Sequence, residues 1–517
     1  MDFKYKCAIE ALNSLQTNQA SLEQRRAERY LRPERGLLQT AAGLRHLGLT
    51  PAHLDQLQVV HVAGTKGKGS TCALTESLLR HHGYRTGFFS SPHLVAARER
   101  IRIDGRPISE EAFASYFWEV YDRLEQAKDD DEPMPMYFMF LTLMSLYVFL
   151  REQVDVAIVE VGIGGAYDST NVIRSPVVCG VTYLDYDHTD ILGSRIEQIT
   201  EQKAGIIKPS APVFVARQRH AATLPVLADR AARCQSPLYV VPDLDECRGP
   251  DGDRPCLGLA GQYQRQNAAL ALQLARYWRS ARGDGAFDPA SAPNSESAPL
   301  ARAQPCQLTP VEARALADCR WPGRCQKVPR GSVAYYLDGA HTADSVQLAL
   351  RWFQSEAARD ADSSGVSPRT VLLFYSTGSR DPASLLRPLA AVAWDEVVFC
   401  PSAVYHVQDA SSDQANRMVT PDSQLCRVDA HCAAWREMAA PGAAGRPRRL
   451  TCISEAVNFI EESAGVPTQV FTVGSLHLVG GLLSIIDPHL SSMLPAPRPR
   501  SGAGRPEVRR HLSAPCP

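Results

Sequence analysis

The stretch VVHVAGTKGKGST, residues 59–71, constrains the fold of this chain more than any other part of the sequence. An apolar run of strand length ends at Ala63, a turn with three glycines and two lysines follows, and a helical pattern begins near Ser70. A strand, a glycine-rich turn and a helix in this order are typical of a loop that binds phosphate with the first amides of the helix. The spacing departs from the usual G-x-x-x-x-G-K-S/T form, because Lys68 precedes the last glycine. We therefore predict a phosphate loop of a variant type.

The same succession of strand, turn and helix recurs along the chain. Unbroken apolar runs such as VDVAIVEV, residues 154–161, and PVVCGV, residues 176–181, have the composition of strands that are buried on both faces. Strands of this kind that alternate with helices predict a doubly wound, mostly parallel α/β sheet. The pattern starts again at VAYYLDGAHT, residues 333–342, which predicts a second, smaller, Rossmann-like α/β domain.

These patterns divide the chain into two predicted domains and a tail. The first, residues 1–318, carries the phosphate loop and contains an irregular insert at about 280–310 that is rich in Ala, Pro, Ser and Gly. The second, residues 319–490, is expected to be irregular again over 403–450. Residues 491–517, rich in Arg and Pro, are expected to form a disordered basic tail.

Charge and composition exclude several classes of protein. The formal net charge is −1, so nothing indicates a nucleic-acid partner. The longest apolar run, residues 137–150, has 14 residues, whereas a bilayer span needs about 20, so we expect a buried helix and no integral membrane segment. The 14 cysteines include no C-x-x-C pair and are expected to be reduced, packed thiols of a cytoplasmic protein.

Polar side chains that follow apolar strands are candidates for the chemistry. Glu160 ends the run VDVAIVE beside GIGG, where a carboxylate faces the crevice above a parallel sheet and suits a divalent cation. Asp338 ends a later strand, where a carboxylate is able to accept hydrogen bonds from ribose hydroxyls. Arg98, Arg100 and Arg102 alternate in RERIRI, which predicts that they share one strand face. That face either attracts substrate carboxylates or is solvated.

The sequence GTKGKGST, residues 64–71, resembles the variant phosphate loop of the Mur-ligase superfamily. Further motifs resemble the eukaryotic folylpolyglutamate synthase family and occur in that family's order from about residue 12 to about residue 485. They are LNSLQTN (12–18), TGFFSSPHLVAARERIRIDGRPIS (86–109), VEVGIGGAYDSTN (159–171), DHTDILG (187–193), WPGR (321–324), YYLDGAHT (335–342) and VGSLHLVGG (473–481). The resemblance covers nearly the whole chain, and it accounts for the lysine spacing of the loop.

The resemblance implies a set of ligands and the residues that hold them. ATP and Mg²⁺ are the implied nucleotide substrate and cofactor, with a monovalent cation in addition. Lys203 is implied to carry a carbamate that helps to hold a second metal, and to be catalytic together with Glu160 and His188. The implied metal ligands are Ser91, Glu160 and His188, and the implied substrate contacts are His341 and Ser475 for L-glutamate. Of the alternating arginines, Arg100 is the candidate contact for the folate carboxylates. The implied ATP contacts are Thr65, Lys66, Gly67, Lys68, Gly69, Ser70, Arg324 and Asp338.

The resemblance also implies the reaction. The γ-carboxylate of tetrahydrofolate, or of its polyglutamates, attacks the γ-phosphate of ATP, and L-glutamate then displaces phosphate from the resulting acyl phosphate. Such a ligase retains folates in the cell for one-carbon metabolism. We expect a cytoplasmic monomer, with a mitochondrial form that comes from an upstream start not present in this chain. Asp185, Tyr375 and Ser379 depart from the family pattern, which leaves substrate preference and product length open.

Three other functions compete with this prediction. A bifunctional dihydrofolate synthase would use the same chemistry on dihydropteroate, but LNSLQTN and DGAHT favour the single activity. A Mur-type ligase acting on a peptidoglycan precursor is disfavoured by FFSSPHL followed by RERIRI. A nucleotide-binding regulator without catalysis should lack some of Glu160, His188, Lys203 and Asp338, all of which are present.

Overall fold

A computed structural model of the chain describes most of its residues. They are 3–16, 34–129, 132–285, 287, 301–303, 305–364, 367–378, 380–407, 409–416, 419–438, 447–462, 466–490 and 494. The predicted tail, apart from residue 494, and about half of the predicted insert (286, 288–300 and 304) therefore lie outside the described residues.

The first sheet is mostly parallel. Its strands in the described residues are β1 Val60–Ala63, β2 Thr86–Phe89, β3 Ile101–Ile103, β4 Arg106–Pro107, β5 Val156–Glu160, β6 Val178–Val181, β7 Val213–Val215, β8 Leu238–Val240 and β9 Ala301–Arg302. Their order across the sheet is β4-β3-β2-β5-β1-β6-β7-β8-β9. Neighbours from β2 to β9 run parallel, whereas β3 and β4 add an antiparallel edge. Strands β1, β2, β5 and β6 are buried at every position, which is why their sequences are mostly apolar.

The second sheet is smaller. Its strands in the described residues are β10 Gln326–Arg330, β11 Val333–Leu337, β12 Arg369–Phe374, β13 Glu396–Phe399, β14 Arg448–Arg449 and β15 Thr468–Val473. Their order is β10-β11-β15-β12-β13-β14, and only the β10–β11 pair is antiparallel. We call the first sheet with its packed helices the first lobe, and the second sheet with its packed helices the second lobe. The predicted α/β class, with a larger and a smaller sheet, is confirmed.

Helices cover the faces of both sheets. The α-helices are Phe3–Ser14, Arg35–His46, Pro51–Asp55, Lys68–His81, Glu110–Ala127, Tyr137–Arg151, Thr189–Leu192, Ile196–Ala204, Thr223–Arg233, Gln264–Ala281, Pro310–Asp318, Ala343–Ser364, Pro382–Ala390, Pro421–Met438, Ile453–Glu462 and Leu476–Ile486. Short 3₁₀ helices span Ala97–Arg100, Ser169–Val172 and Leu244–Glu246. The apolar run at residues 137–150 is a buried helix, as predicted. Among the described residues, no helix has both the length and the apolar character that a bilayer crossing requires.

The predicted strand face of alternating arginines is wrong. The first two of these arginines lie in the 3₁₀ turn Ala97–Arg100, and only Arg102 lies on β3. The cause is Glu99, whose carboxylate accepts hydrogen bonds from the amides of residues 94–96 and thereby winds the chain into a turn. The three side chains therefore point in different directions.

Two stretches predicted to be irregular contain regular structure. Ala301–Arg302, inside the predicted insert, pairs in parallel with β8 and extends the first sheet. Pro421–Met438, inside the predicted irregular stretch at 403–450, is a helix that buries Val428 and Trp435. The helix is rich in small and charged residues, so the few apolar residues that face the core do not form a clear helical pattern in the sequence.

The strand order of the first sheet fixes the place of the site. Strand β1 lies between β5 and β6, and all three run parallel. Their carboxyl ends therefore meet at one edge of the sheet, where open α/β sheets bind ligands. The glycine-rich loop, Glu160 and the DYDHTD segment follow these three strands.

Candidate active site

The glycine-rich loop after β1 presents its backbone to a cavity. Gly67 has φ 88°, and a Cβ at this position would lie 2.2 Å from Asn267 Oδ1, so only glycine fits. The helix Lys68–His81 begins at the next residue. Among the described residues, no carbonyl accepts from the amides of residues 67–70, and these residues line the cavity. The loop therefore offers unpaired amides at the positive end of a helix, which is the arrangement that binds phosphate.

Other groups of the loop hold its shape. The amides of Thr65 and Lys66 donate to the carbonyl of Tyr183 over 3.0 and 3.1 Å. Lys68 Nζ donates to the carbonyl of Gly64 over 3.1 Å. Thr65 and Lys66 thus use their amides to tie the loop to the segment after β6, and the amides of residues 67–70 are left for a ligand.

Glu160 and Ser91 meet on the wall of the same cavity. Glu160 is 4% exposed, and its Oε2 accepts from the Ser91 amide over 3.1 Å. Burial raises the pKa of Glu160, and the positive charges of Lys68 and Arg324 oppose that rise. Because the described residues give Glu160 no other hydrogen bond, most of its acceptor capacity remains available to a cation.

His188 also lines this cavity, but it makes no contact with Ser91 or Glu160 among the described residues. Its backbone is left-handed, with φ 51°, at the start of the helix Thr189–Leu192. Desolvation inside the cavity lowers the pKa of its imidazole, and the charge of Lys68 lowers it further. A neutral imidazole keeps a lone pair that is able to bind a metal.

Lys203 lies behind the glycine-rich loop and, unlike the other predicted site residues, does not line the cavity. It is 3% exposed, and its Nζ donates to the carbonyl of Gly64 over 2.9 Å. Burial lowers the pKa of its amine to about 7, helped by the positive charge of Lys68. The lowered pKa makes a neutral, nucleophilic amine more abundant at neutral pH than it is in an exposed lysine.

Asp187 gathers positively charged groups from both lobes. Its Oδ2 accepts from Lys66 Nζ over 3.0 Å, and its Oδ1 accepts from Arg380 Nη2 over 3.0 Å. His341 Nε2 lies 3.5 Å from Oδ2. Burial alone would raise the pKa of Asp187, but the positive charge of Lys66 holds it well below its usual range. Lys66 and Asp187 belong to the first lobe, so this cluster joins the lobes at the cavity.

Sequence reasoning missed Asp187 and Arg380. The available signal was weak in each case: an acidic residue beside His188 in DYDHTD, and an arginine in TGSRDP after a predicted strand. Neither pattern indicates a partner, because the two residues are 193 positions apart in the chain.

The carboxylate of Asp338 already accepts three hydrogen bonds within the protein. Its Oδ2 accepts from the amide of Cys325 over 2.9 Å and from the hydroxyl of Tyr263 over 3.0 Å, and its Oδ1 accepts from the amide of Ala340 over 2.8 Å. Tyr263 comes from the first lobe, so Asp338 also links the lobes. A ribose hydroxyl would have to use the remaining acceptor site of Oδ1. Arg324, the other predicted ATP contact of the second lobe, lines the cavity.

His341 and Ser475 lie on the second-lobe wall of the cavity. His341 Nδ1 lies 2.9 Å from the carbonyl of Gly339, which can only accept, so Nδ1 carries the proton. Its Nε2 then accepts from Lys66 Nζ over 3.0 Å, and burial lowers the pKa of the ring in keeping with this neutral form. Ser475 begins the helix Leu476–Ile486, and its Oγ accepts from the His477 amide over 3.1 Å.

A single cavity of about 1690 Å³ brings these groups together between the lobes. The predicted site residues on its wall are Thr65, Lys66, Gly67, Lys68, Gly69, Ser70, Ser91, Arg100, Glu160, His188, Arg324, Asp338, His341 and Ser475. Its volume is larger than the roughly 300–1,000 Å³ of ordinary small-molecule pockets. The cavity therefore has room for more than one substrate.

The three departures from the family pattern lie in different surroundings. Asp185 lines the cavity, and its Oδ1 lies 3.1 Å from His220 Nε2, which offsets its charge when the ring is protonated. Tyr375 is buried, which raises its pKa to about 12, and its ring lies edge-on to His431 at 5.7 Å. Ser379 lies outside the described residues.

Two α/β lobes that close on one cavity, with a phosphate loop in the first, define the class of ATP-dependent ligases. No family model matches the chain. The mitochondrial folylpolyglutamate synthase of Homo sapiens is 43% identical over 548 residues, which cover 94% of this chain and 92% of the relative. The chain therefore belongs to the folylpolyglutamate synthase family.

Solved structures share this fold. The Mycobacterium tuberculosis folylpolyglutamate synthase complexed with ADP and AMPPCP has a TM-score of 0.64 and 24% identity, and the match covers 90% of this chain and 98% of that one. An FPGS–AMPPCP–folate complex has a TM-score of 0.59 and 25% identity, with 86% of this chain and 95% of that chain covered. The two-lobed α/β architecture is common to all three proteins.

Proposed function

We propose that the chain catalyses the ATP-dependent addition of L-glutamate to the γ-carboxylate of tetrahydrofolate and of its polyglutamates. The carboxylate oxygen attacks the γ-phosphorus and ADP leaves, which gives an acyl phosphate. The amine of glutamate then attacks the acyl carbon, and the tetrahedral intermediate expels phosphate. The protein's contribution is mainly to position three substrates and to stabilise their negative charge.

The observation that carries this proposal is that one cavity is lined by phosphate-binding amides from the first lobe and by polar and charged side chains from the second lobe. The first lobe supplies the unpaired amides of residues 67–70, and the second lobe supplies His341, Ser475 and Arg380. A ligase that joins a carboxyl to an amine needs the phosphate donor and both organic substrates within reach of one another. The membership of the folylpolyglutamate synthase family specifies the organic substrates.

In this proposal ATP lies on the loop residues Thr65 to Ser70 and reaches Arg324 in the second lobe. The described donors also fit a magnesium ion, because Glu160 has unused carboxylate oxygens beside Ser91, and His188 has a neutral ring. Mg²⁺, when bound, would neutralise the phosphate charge of ATP. A nucleotide role for Asp338 stays a prediction, since its oxygens already have three donors.

The charge cluster around Asp187 suggests where glutamate binds. Arg380 and His341 lie on the second-lobe side of the cavity, and the guanidinium of Arg380 is able to bind a carboxylate. The neutral His341 offers an unprotonated Nε2, and Ser475 lies on the same wall. We assign the incoming L-glutamate to these three residues.

The lowered pKa of Lys203 supports the proposed carbamate, because carbamate formation needs a neutral amine. A neutral amine attacks the carbon of CO₂, a C–N bond forms, and the amine loses a proton to give an anionic carbamate. The carbamate keeps one N–H, which still matches the carbonyl of Gly64 that Lys203 Nζ now contacts. The carbamate oxygens would add hard ligands beside the loop, where a second divalent or a monovalent cation would bind.

We also propose that the protein acts as a monomer and works in the cytoplasm and in mitochondria. The human relative is the mitochondrial enzyme, which supports the second location. The proposed domain limits, 1–318 and 319–490, agree with the extents of the two sheets, which end at Arg302 and begin at Gln326.

The test is a ligation assay with purified protein, MgATP, tetrahydrofolate and labelled L-glutamate, in which products are resolved by glutamate number. A ladder of lengthened folates is expected. Dihydropteroate in place of tetrahydrofolate tests the bifunctional alternative. ATP binding without any lengthened product would favour the nucleotide-binding regulator and would overturn the proposal.

A further inference from the structure

Arg100 is a buried cation without an anionic partner. It is 8% exposed, it lines the cavity, and no carboxylate lies within ion-pair distance of it among the described residues. Its guanidinium lies 5.3 Å from the centre of the Tyr137 ring. A buried charge of this kind is costly unless a ligand completes its pairing. The cavity therefore contains a prepared position for an anionic group next to an aromatic ring.

The guanidinium is held by a histidine rather than by a carboxylate. Arg100 Nε donates to His93 Nδ1 over 3.0 Å, and His93 Nε2 lies 2.9 Å from the carbonyl of Asp413. A carbonyl can only accept, so Nε2 carries the proton and Nδ1 is the acceptor for Arg100. One donor and one acceptor on the ring leave a single proton on it, so His93 is neutral as the two bonds require.

The contacts that run from Arg100 through His93 end at Asp413, which belongs to the second lobe. Residues 409–416 follow β13 in sequence and rest on the first lobe; we call them the docking segment. Asp413 Oδ1 accepts from the Tyr5 hydroxyl over 2.8 Å and from the Ala97 amide over 2.6 Å. Gln414 Nε2 donates to the carbonyls of Leu94 and Val95 over 2.5 and 3.0 Å.

The first helix completes this contact between the lobes. Asn13 Nδ2 donates to the carbonyls of Ala410 and Ser412 over 2.9 and 3.0 Å. The helix Phe3–Ser14 thus binds the backbone of the docking segment at several points. Burial raises the pKa of the Asp413 carboxyl to about 6, so this carboxylate is ionised at a cost to stability. We attribute this cost to the role of the Asp413 carboxylate in holding the docking segment on the first lobe.

The location of Arg100 favours the folate substrate. Arg100 and Glu160 both line the cavity, and Arg100 belongs to the segment that follows Ser91, whose amide donates to Glu160. The reacting carboxylate of folate must come to the metal side of the cavity, while the rest of the molecule needs flat, apolar wall such as Tyr137. Arg100 lines the cavity together with Glu160 on the metal side, and its guanidinium lies over the ring of Tyr137.

We propose that His93 and Asp413 are positioning residues, through which the docking segment of the second lobe orients Arg100 to bind the carboxylate end of the folate substrate. The inference rests on the proposed function. It makes folate binding depend on the docking of the second lobe onto residues 93–97. Arg100 touches the substrate, whereas His93 and Asp413 act through it.

The test measures KM for tetrahydrofolate, KM for ATP and kcat, with the Kd of folate in the presence of MgAMPPCP. His93→Leu and Asp413→Ala are expected to raise the KM and Kd for folate by about tenfold or more. His93→Leu removes the acceptor of Arg100 Nε. Asp413→Ala removes the acceptor of Tyr5 and Ala97 that holds the docking segment, and with it the Asp413 carbonyl that contacts His93, in place. The KM for ATP should stay within about twofold, since the loop amides are untouched.

Conservative variants provide the rescue. His93→Gln keeps one donor and one acceptor, and Asp413→Asn keeps an acceptor for Tyr5 and Ala97, so both should restore most of the folate affinity. Asp409→Ala is the matched control in the same segment. Asp409 is exposed, and among the described residues its carboxylate accepts hydrogen bonds only from Ser411, so this change should leave all three constants as they are.

Several outcomes would overturn the inference: unchanged folate affinity in His93→Leu and Asp413→Ala, an equal rise of both KM values, or no rescue by the conservative variants. If both variants lose their folded circular dichroism spectrum and Tyr5→Phe leaves folate affinity unchanged, the residues are structural and the inference fails. A wild type that binds folate without lengthening it would refute the proposed function alone, because Kd still tests the positioning. A wild type that does not bind folate would refute both.

Discussion

Lys66 Nζ donates to Asp187 Oδ2 over 3.0 Å, which joins the glycine-rich loop after β1 to the segment after β6. The same carboxylate accepts from Arg380 of the second lobe, so one acidic side chain connects the phosphate loop with the opposite wall of the cavity. Together with the direct hydrogen bond from Lys66 Nζ to His341 Nε2, this carboxylate aligns the loop with the second lobe.

Asp187→Ala should lower the free energy of unfolding by roughly 1–3 kcal/mol, because two cations lose their charged acceptor. The folded pKa of Asp187 is depressed, so its contribution is complete above the unfolded value of about 3.9 and is lost as the pH falls below it. Urea unfolding at neutral pH and in acid is the measurement. A difference from wild type that grows in acid would contradict the assignment.

Glu160→Gln should abolish lengthening of tetrahydrofolate while nucleotide binding is largely retained. The amide keeps the size of the side chain but cannot supply the anionic oxygens that a divalent cation prefers. Calorimetric binding of ADP, together with the ligation assay, separates the two effects. Glu201→Gln, on the exposed side of the helix Ile196–Ala204, is the control and should remain active. Full activity of Glu160→Gln would remove Glu160 from the metal site.

The requirement for free magnesium should increase as the pH falls. Burial raises the pKa of Glu160, so protons compete with the cation at a higher pH than they would for an exposed carboxylate. Initial rates at saturating MgATP, with free magnesium varied between about pH 8 and about pH 6, measure this effect. A half-saturating magnesium concentration that does not change over this range would be evidence against Glu160 as a ligand.

Removal of CO₂ and bicarbonate should reduce kcat, and added bicarbonate should restore it. The reason is the lowered pKa of Lys203, about 7, which leaves a reactive amine at neutral pH. Lys203→Ala should be weakly active and indifferent to bicarbonate. Lys208→Ala is a suitable control: burial lowers the pKa of Lys208 too, but its Nζ contacts the carbonyl of Asn171 away from the loop. Equal rates with and without bicarbonate in wild type would exclude the carbamate.

Binding of nucleotide and folate together should make the protein more compact. ATP is expected to contact residues 67–70 in one lobe and Arg324 in the other, so bound substrate draws the lobes together. Small-angle scattering with MgAMPPCP and folate, compared with the free protein, measures the radius of gyration. An unchanged radius would mean that the lobes are already closed in the free protein.

Local features of the site were predictable from the sequence, and contacts between distant segments were not. The loop at residues 64–70 and the strand that ends at Glu160 follow from apolar runs and glycines within a few residues of each other. Asp187 and Arg380 are 193 residues apart, and nothing in either segment specifies the other. Burial of a charge is a property of the assembled fold.

Two predictions illustrate the limits of periodicity and of motif position. The alternation in RERIRI indicated a strand, but Glu99 captures the amides of residues 94–96, and a side-chain hydrogen bond outweighs a weak alternating pattern. Asp338 lies directly after strand β11, close to the predicted position, but its carboxylate accepts hydrogen bonds from the Tyr263 hydroxyl and from two backbone amides. The sequence located this carboxylate but could not identify its partners.

The size of the cavity bears on how a product becomes the next substrate. A folate that has gained one glutamate offers the same chemical group at its new end, and that end must return to the same place beside Glu160. Everything added in earlier rounds has to be stored elsewhere in the roughly 1690 Å³ between the lobes. We therefore expect the space in the cavity, more than the reactivity of the new end, to limit the number of additions. Filling that space with bulky side chains, far from the reacting groups, would shorten the final polymer while leaving the first addition intact.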